Sequence, residues 1–240
     1  MTAPQKRPTP RPTSSPPDFT YDPRTKRYRN NVTGRFTPDR QVRDALDGFL
    51  HGARSEMRGH TMLLREGRLS VAQWQTRMAQ SMREVHVASY ALAKGGAEAM
   101  IPADFGRLGA SIRDELRYLR NFGDSLEAKL MQGQPIDGRA LVRSELYAEA
   151  GRSTFERQLE ATKGEAGYTH EYNELGTDDN CEDCLMYEAM GVVPIGTIPP
   201  PGVDRRCGRK CRCRKVYSIE PGYALVLVDD VVDLGSMGDV

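Results

Sequence analysis

Five cysteines sit close together in the last third of the chain, as Cys181-Glu-Asp-Cys184 and then Cys207-Gly-Arg-Lys-Cys211-Arg-Cys213. A Cys-x2-Cys turn sets two thiolates on one side of a tight knuckle, and a second pair supplied after a loop completes a tetrahedral sulfur cage. Structural zinc is the ion expected there. A segment this poor in large apolar side chains would gain from it folding free energy of order 10 kcal/mol. The second cluster is irregular, so spacing does not decide which of Cys207, Cys211 and Cys213 would join Cys181 and Cys184. Reduced cysteines packed as small hydrophobes, or disulfides formed late, are the competing readings. A catalytic cysteine is the weakest reading, because a thiolate nucleophile wants a partnered histidine and the nearby one, His170, falls in what reads as a loop. His51, His60 and His86 lie in or beside helical stripes and read as helix-surface or partly buried side chains. No Ser/His/Asp set, phosphate-cradling glycine loop or framed carboxylate pair is present, so neither enzymatic activity nor a small-molecule substrate is expected.

Around the second knuckle runs a cationic stretch: Arg205, Arg206, Arg209, Lys210, Arg212, Arg214 and Lys215. Such a run can contact the phosphates of DNA in a salt-dependent way, or pair with acidic surfaces. It lacks interleaved aromatic residues, which favours pairing with the acidic tail (Glu220, Asp229, Asp230, Asp233, Asp239) or with an acidic partner.

The elements that must hold these residues are mainly helical. Pro38-Asp39 resembles a helix start, followed at three-to-four spacing by Val42, Leu46, Phe49, Leu50, Ala53, Met57 and Leu64. Ser70 caps a second helix with Val71, Trp74, Met78, Met82, Val85 and Ala88 on one side, ending at Gly95-Gly96. A third is predicted from Pro102 to Gly133, with Phe105, Leu108, Ile112, Leu116, Leu119, Phe122, Leu126 and Leu130 buried, although Gly106, Gly109 and Gly123 weaken it. A fourth follows Asp137 and stops at Lys163-Gly164. The turns after the first and third helices echo one another, which predicts two stacked helical hairpins.

Four regions result: an extended or disordered basic arm (1–37), a helical domain (38–164), a cysteine-rich module (165–217) and an acidic tail (218–240). Within the arm, Tyr21, Tyr28, Val32 and Phe36 flank turn signals and fit either a small hairpin or a loose linker. In the tail, Tyr223 to Asp229 is apolar enough for a strand or for docking on a partner. The expected fold is thus mainly α: a helical hairpin body, a small zinc-ribbon-like α+β module and an extended N-terminal arm.

Composition narrows the class further. The net charge of the 240 residues is +1, so no global field draws the chain to nucleic acid or to a membrane surface. No stretch approaches the roughly 18 to 20 apolar residues of a spanning helix, and the Pro-rich N-terminus is unlike a secretory signal. A cytosolic site of synthesis is therefore expected, where thiols stay reduced.

The segment from Asn180 to Tyr217 resembles the C-terminal signature of phage minor head proteins, the Mu F-like or head-morphogenesis family. The matching positions are Cys181, Cys184, Pro194, Ile195, Gly196, Pro199, Pro201, Gly202, Cys211, Arg212 and Cys213. Weaker likenesses in EGRLSVAQWQTRM and YRNNVTGRF extend the coverage to roughly residues 26 to 217. Relatives often carry a histidine where this chain has Cys207, an exchange that keeps metal competence. The resemblance implies a low-copy structural component of the virion head, assembled in the host cytoplasm and associated with the portal or the major capsid protein. The rival expectation is a zinc-dependent virion protein that contacts packaged DNA near the portal.

Overall fold

A computed structural model describes residues 18–176 and 179–219. Residues 1–17 of the expected arm and 220–240 of the expected tail lie outside the described residues. From Phe19 onward the chain is folded: β1 (Phe19–Asp22), β2 (Arg27–Asn30) and β3 (Phe36–Thr37) form an antiparallel sheet in that order. Turn chemistry explains it. Asp22 Oδ1 accepts the Arg24 N–H at 2.9 Å, and Asn30 Oδ1 accepts those of Val32 and Thr33 at 2.9 and 3.0 Å. Side-chain alternation then buries Phe19, Tyr21 and Tyr28 while Thr20, Arg27 and Arg29 stay exposed. The boundary of any loose arm therefore falls before Phe19, well short of residue 37.

The four long helices begin where their caps predict. α1 (Asp39–Arg65) starts after Pro38 and buries Val42, Leu46, Phe49, Leu50, Ala53, Met57 and Leu64 on one stripe. α2 (Val71–Lys94) opens with a reciprocal capping box between Ser70 and Gln73 and closes on left-handed Gly95 at φ 105°. The tight spot at Gly95 also admits the β-sheet, since a Cβ there would fall 2.7 Å from Tyr21 Cβ. α3 (Pro102–Met131) and α4 (Gly138–Glu165) follow, with Asp137 Oδ1 accepting the Ala140 N–H at 3.0 Å.

α1, α2 and α4 pack mutually, meeting where Gly151 leaves no room for a side chain beside Val85, Ser89 and Leu50. Trp74 is fully buried and donates its indole N–H to Thr61 Oγ1 at 3.0 Å, tying α1 to α2 as a hairpin. The second hairpin expected from the internal echo is not formed. α3 lies chiefly against α2 and reaches α4 where Phe122 stacks on Tyr147. With one main helix neighbour, its stripe is only half covered. Leu108, Leu119, Phe122 and Leu126 are buried, Ile112 and Leu116 are half-buried, and Phe105 and Leu130 are exposed, against expectation.

The cysteine module is built on a second antiparallel sheet, with β4 (His170–Glu174) between β5 (Val193–Pro194) and β6 (Arg214–Ser218). His170 therefore opens a strand and does not sit in a loop. An eight-residue helix, α5 (Glu182–Ala189), packs on β4 and carries the first knuckle in its opening turn.

Candidate metal centre

Cys181 is the extended N-cap residue of α5 and Cys184 lies in its first turn, so both sulfurs leave the helix on one side. Cys207 and Cys211 bracket a single 3-10 turn (Gly208–Lys210), and Cys213 immediately precedes β6. The loop after β4 is pressed flat on this second knuckle: a Cβ on Gly176 would fall 1.8 Å from the carbonyl oxygen of Arg212. None of the five cysteines is joined in a disulfide; Cys184, Cys211 and Cys213 are buried, Cys181 and Cys207 half-buried.

Cys184 Sγ lies 3.5 Å from Cys181 Sγ, 3.6 Å from Cys207 Sγ and 3.8 Å from Cys211 Sγ. A tetrahedral thiolate site with metal–sulfur bonds near 2.3 Å has edges of about 3.8 Å. Two sulfur triads, Cys181/Cys184/Cys207 and Cys184/Cys211/Cys213, share Cys184, and the cluster can hold a metal ion.

Charge is distributed unevenly over the sulfurs. The Cys211 thiol is pulled down to about 4 by its hydrogen bonds from the Cys213 side chain and backbone N–H, with Cys207 and the Arg205 guanidinium adding to it. Burial pushes the Cys181 thiol up, but hydrogen bonds from the backbone N–H groups of Cys184 and Cys207 outweigh it and hold the thiol below its ordinary value. Cys213 is raised by its hydrogen bond with Cys211, and Cys207 by burial. Cys181 in the first knuckle and Cys211 in the second are thus the sulfurs that give up a proton more readily, an arrangement suited to a cation between them.

The cationic run turns inward. Arg205 is buried, donates to Asn173 Oδ1 at 2.8 Å and to the Pro199 carbonyl at 3.2 Å, and reaches Cys184 Sγ at 3.7 Å. Arg206 pairs with Glu182 and Asp183 of α5, and Arg214 forms a two-pronged pair with Glu174 of β4 at 2.6 Å. Arg209 pairs with Glu115 of α3 and donates to the Leu146 carbonyl of α4 at 2.8 Å. Arg212 pairs with Glu149 of α4 at 3.3 Å. Lys215 is fully buried and bonds Glu171, Glu160 and the Ile198 carbonyl. Only Lys210 is exposed without an ion-pair partner among the described residues. Among the described residues, these carboxylates come from α3 and α4 of the helical body and from β4 and α5 of the module itself.

Two buried groups, Glu171 and His86, have partners that the sequence does not indicate. Glu171, on the central strand, accepts the Ile198 N–H at 2.7 Å while facing Lys215, so the Pro-rich strap from Pro194 to Gly202 is hung on one buried ion pair. Ser153 of α4 donates to the Gly202 carbonyl at 3.2 Å and fixes the strap's other end. His86 is buried where α2, α3, α4 and the second knuckle converge, with Nδ1 2.7 Å from Thr154 Oγ1 and Glu115 and Arg209 close by. No spacing pattern marks either group, because their partners come from distant parts of the chain.

Burial holds the His86 imidazole down at about 4, against an ordinary value near 6.5. The folded state therefore favours the neutral ring. Its contribution is complete above about pH 6.5 and is lost as pH falls toward 4, amounting to about 3 kcal/mol over that window. In His86→Gln, urea unfolding at pH 7 and pH 4 should show an acid-induced loss smaller than that of the unsubstituted chain by about this amount. Equal losses in the two proteins would remove His86 as the acid-sensitive group.

No known family pattern, characterised protein or solved structure matches the chain.

Proposed function

We propose that the chain is a structural, non-enzymatic component of a phage head, a minor head protein that acts in head morphogenesis by docking at the portal or the inner capsid shell, with zinc in its cysteine cluster. One observation carries the reading. Three sulfurs surround Cys184 at 3.5 to 3.8 Å, in a module bolted to α3 and α4 through Glu115, Glu149 and Glu160. That is the construction of a rigid clip. The residues that carry the resemblance to minor head proteins fit it: Ile195 bonds the Thr169 carbonyl at 2.9 Å, and Gly196 and Gly202 take left-handed turns at each end of the strap. With most of the cationic run already paired, a DNA contact through it has little support. Recovery of the protein at a few copies in purified mature heads is the expected result of particle fractionation. Exclusive recovery in the host cytosol would discredit the reading.

In this reading Cys181, Cys184, Cys207 and Cys211 are the zinc ligands, supported by the three short distances from Cys184. Cys213, whose thiol donates to Asn180 Oδ1 at 3.5 Å, is then the spare. Elemental analysis of single Cys→Ser variants tests this: Cys213→Ser should retain one zinc per chain, whereas Cys207→Ser should lose it. The reverse pattern would replace this ligand set by one in which the Cys211-Arg-Cys213 pair closes the cage.

A further inference from the structure

Between α2 and α3 an open groove of about 430 Å³ is left unfilled, floored by Ala79, Leu116 and Leu119 and rimmed by Thr76, Arg83 and Arg120. Its floor is the half-covered stripe of α3, and Val87, one turn along α2 from Arg83, is 39% exposed. The rim is cationic without compensation. Arg83 is exposed, Arg120 donates only to the Leu116 carbonyl of its own helix, and neither forms an ion pair among the described residues. This is the opposite of the run near the cysteines, where five of the seven cations pair with a carboxylate. An apolar floor between two free guanidinium groups suits an apolar segment that carries carboxylates.

The chain contains such a segment. From Tyr223 to Leu234 the sequence reads YALVLVDDVVDL: aliphatic side chains with Asp229, Asp230 and Asp233, and no Lys or Arg anywhere after Lys215. These residues lie outside the described part of the structure, so the geometry of the groove and the reach of the chain decide which copy could deliver them. α2 and α4 run side by side in the same direction, with His86 beside Thr154 and Val85 beside Gly151, so Ala79 lies level with Tyr147. β6 ends beyond the far end of α4, where Tyr217 meets Tyr168. From Tyr147 to Glu165 is about 27 Å along the helix axis, before any lateral path around α2 to α3. From Ile219 to Val228, the middle of the acidic segment, a fully extended chain spans about 31 Å. A copy's own segment would have to be drawn taut across its own surface.

We propose that the groove between α2 and α3 receives the Tyr223–Leu234 segment of a second copy of this chain. Leu and Val side chains fill the floor, and Asp229 and Asp230 meet Arg83 and Arg120. A reciprocal exchange closes a two-fold dimer and doubles the area covered. Neither zinc nor assembly at a head enters this docking.

The test uses the full chain. Sedimentation of the unsubstituted protein should show a concentration-dependent dimer. Arg83→Glu with Arg120→Glu, and separately Asp229→Lys with Asp230→Lys, should each weaken dimerisation by about tenfold or more, and the four changes together should restore most of it. Circular dichroism checks that each variant is folded. A photo-crosslinking benzoylphenylalanine in place of Thr76, in a mixture of 14N and 15N protein, should join peptides from the 223–234 region to their counterpart of the other isotope. A monomer at all concentrations overturns the proposal, as do crosslinks confined to one isotope, crosslinks to another segment, or charge reversals that leave dimerisation unchanged.

Discussion

Cys184→Ser is expected to unfold the C-terminal module while leaving the helical body folded. Cys184 is the sulfur common to both triads and is 1% exposed, so no neighbouring cysteine can take its place without moving the α5 turn. If the cluster holds zinc as proposed, the lost free energy is of order 10 kcal/mol, more than a module with so small an apolar core can supply. Limited proteolysis should then cut within the strap and around the second knuckle, with helix content preserved by circular dichroism. A strong chelator should reproduce the pattern in the unsubstituted chain. Retention of one zinc per chain by Cys184→Ser, with unchanged proteolytic resistance, would remove the cage as the module's source of stability.

The second large effect is expected at Lys215. Its ammonium is fully buried against Glu171, itself fully buried, and Glu160. Removing the cation strands a carboxylate with no water to solvate it. Breaking one side of a buried pair typically costs about 3–5 kcal/mol, so Lys215→Met should lower the urea midpoint of the module accordingly. Adding Glu171→Gln removes the stranded charge and should recover a large share, because an uncharged amide can still accept the Ile198 N–H. If Lys215→Met alone is within about 0.5 kcal/mol of the parent, which is the scale of ordinary surface substitutions, the pair is not what holds the strap.

The helical body was legible because each of its signals is local. Ser70 with Gln73, Asp137 with Ala140, and Gly95 at a left-handed turn all act within a few residues, and the stripe of α1 repeats at helical spacing. The clustering of the five cysteines was equally plain. What escaped notice depends on distant pairing. β4, His-Glu-Tyr-Asn-Glu, buries polar Glu171 and Asn173 and so lacks the apolar alternation of a strand, and it becomes central only because β5 and β6 flank it. α5, at eight residues, is too short for periodicity to mark it. The burial expected at Phe105 and Leu130 followed from the sequence period alone, which says nothing about how many neighbours a helix finds. The cationic run is expected from sequence to pair with the acidic tail or with a partner because the carboxylates it meets lie far off in the chain, on α3, α4, β4 and α5.

Strand order sets a schedule for the nascent chain. The middle strand of the second sheet is synthesised first and one of its edges, β6, comes more than a hundred atoms of backbone later, at about three per residue. Until Lys215 emerges, Glu171 has no cation to meet it, and the Ile198 carbonyl of the strap lacks its ammonium donor. A polypeptide interrupted ahead of that lysine therefore presents an unfinished, protease-sensitive end beside a finished helical core, so incomplete copies are distinguishable from complete ones by where a protease cuts them.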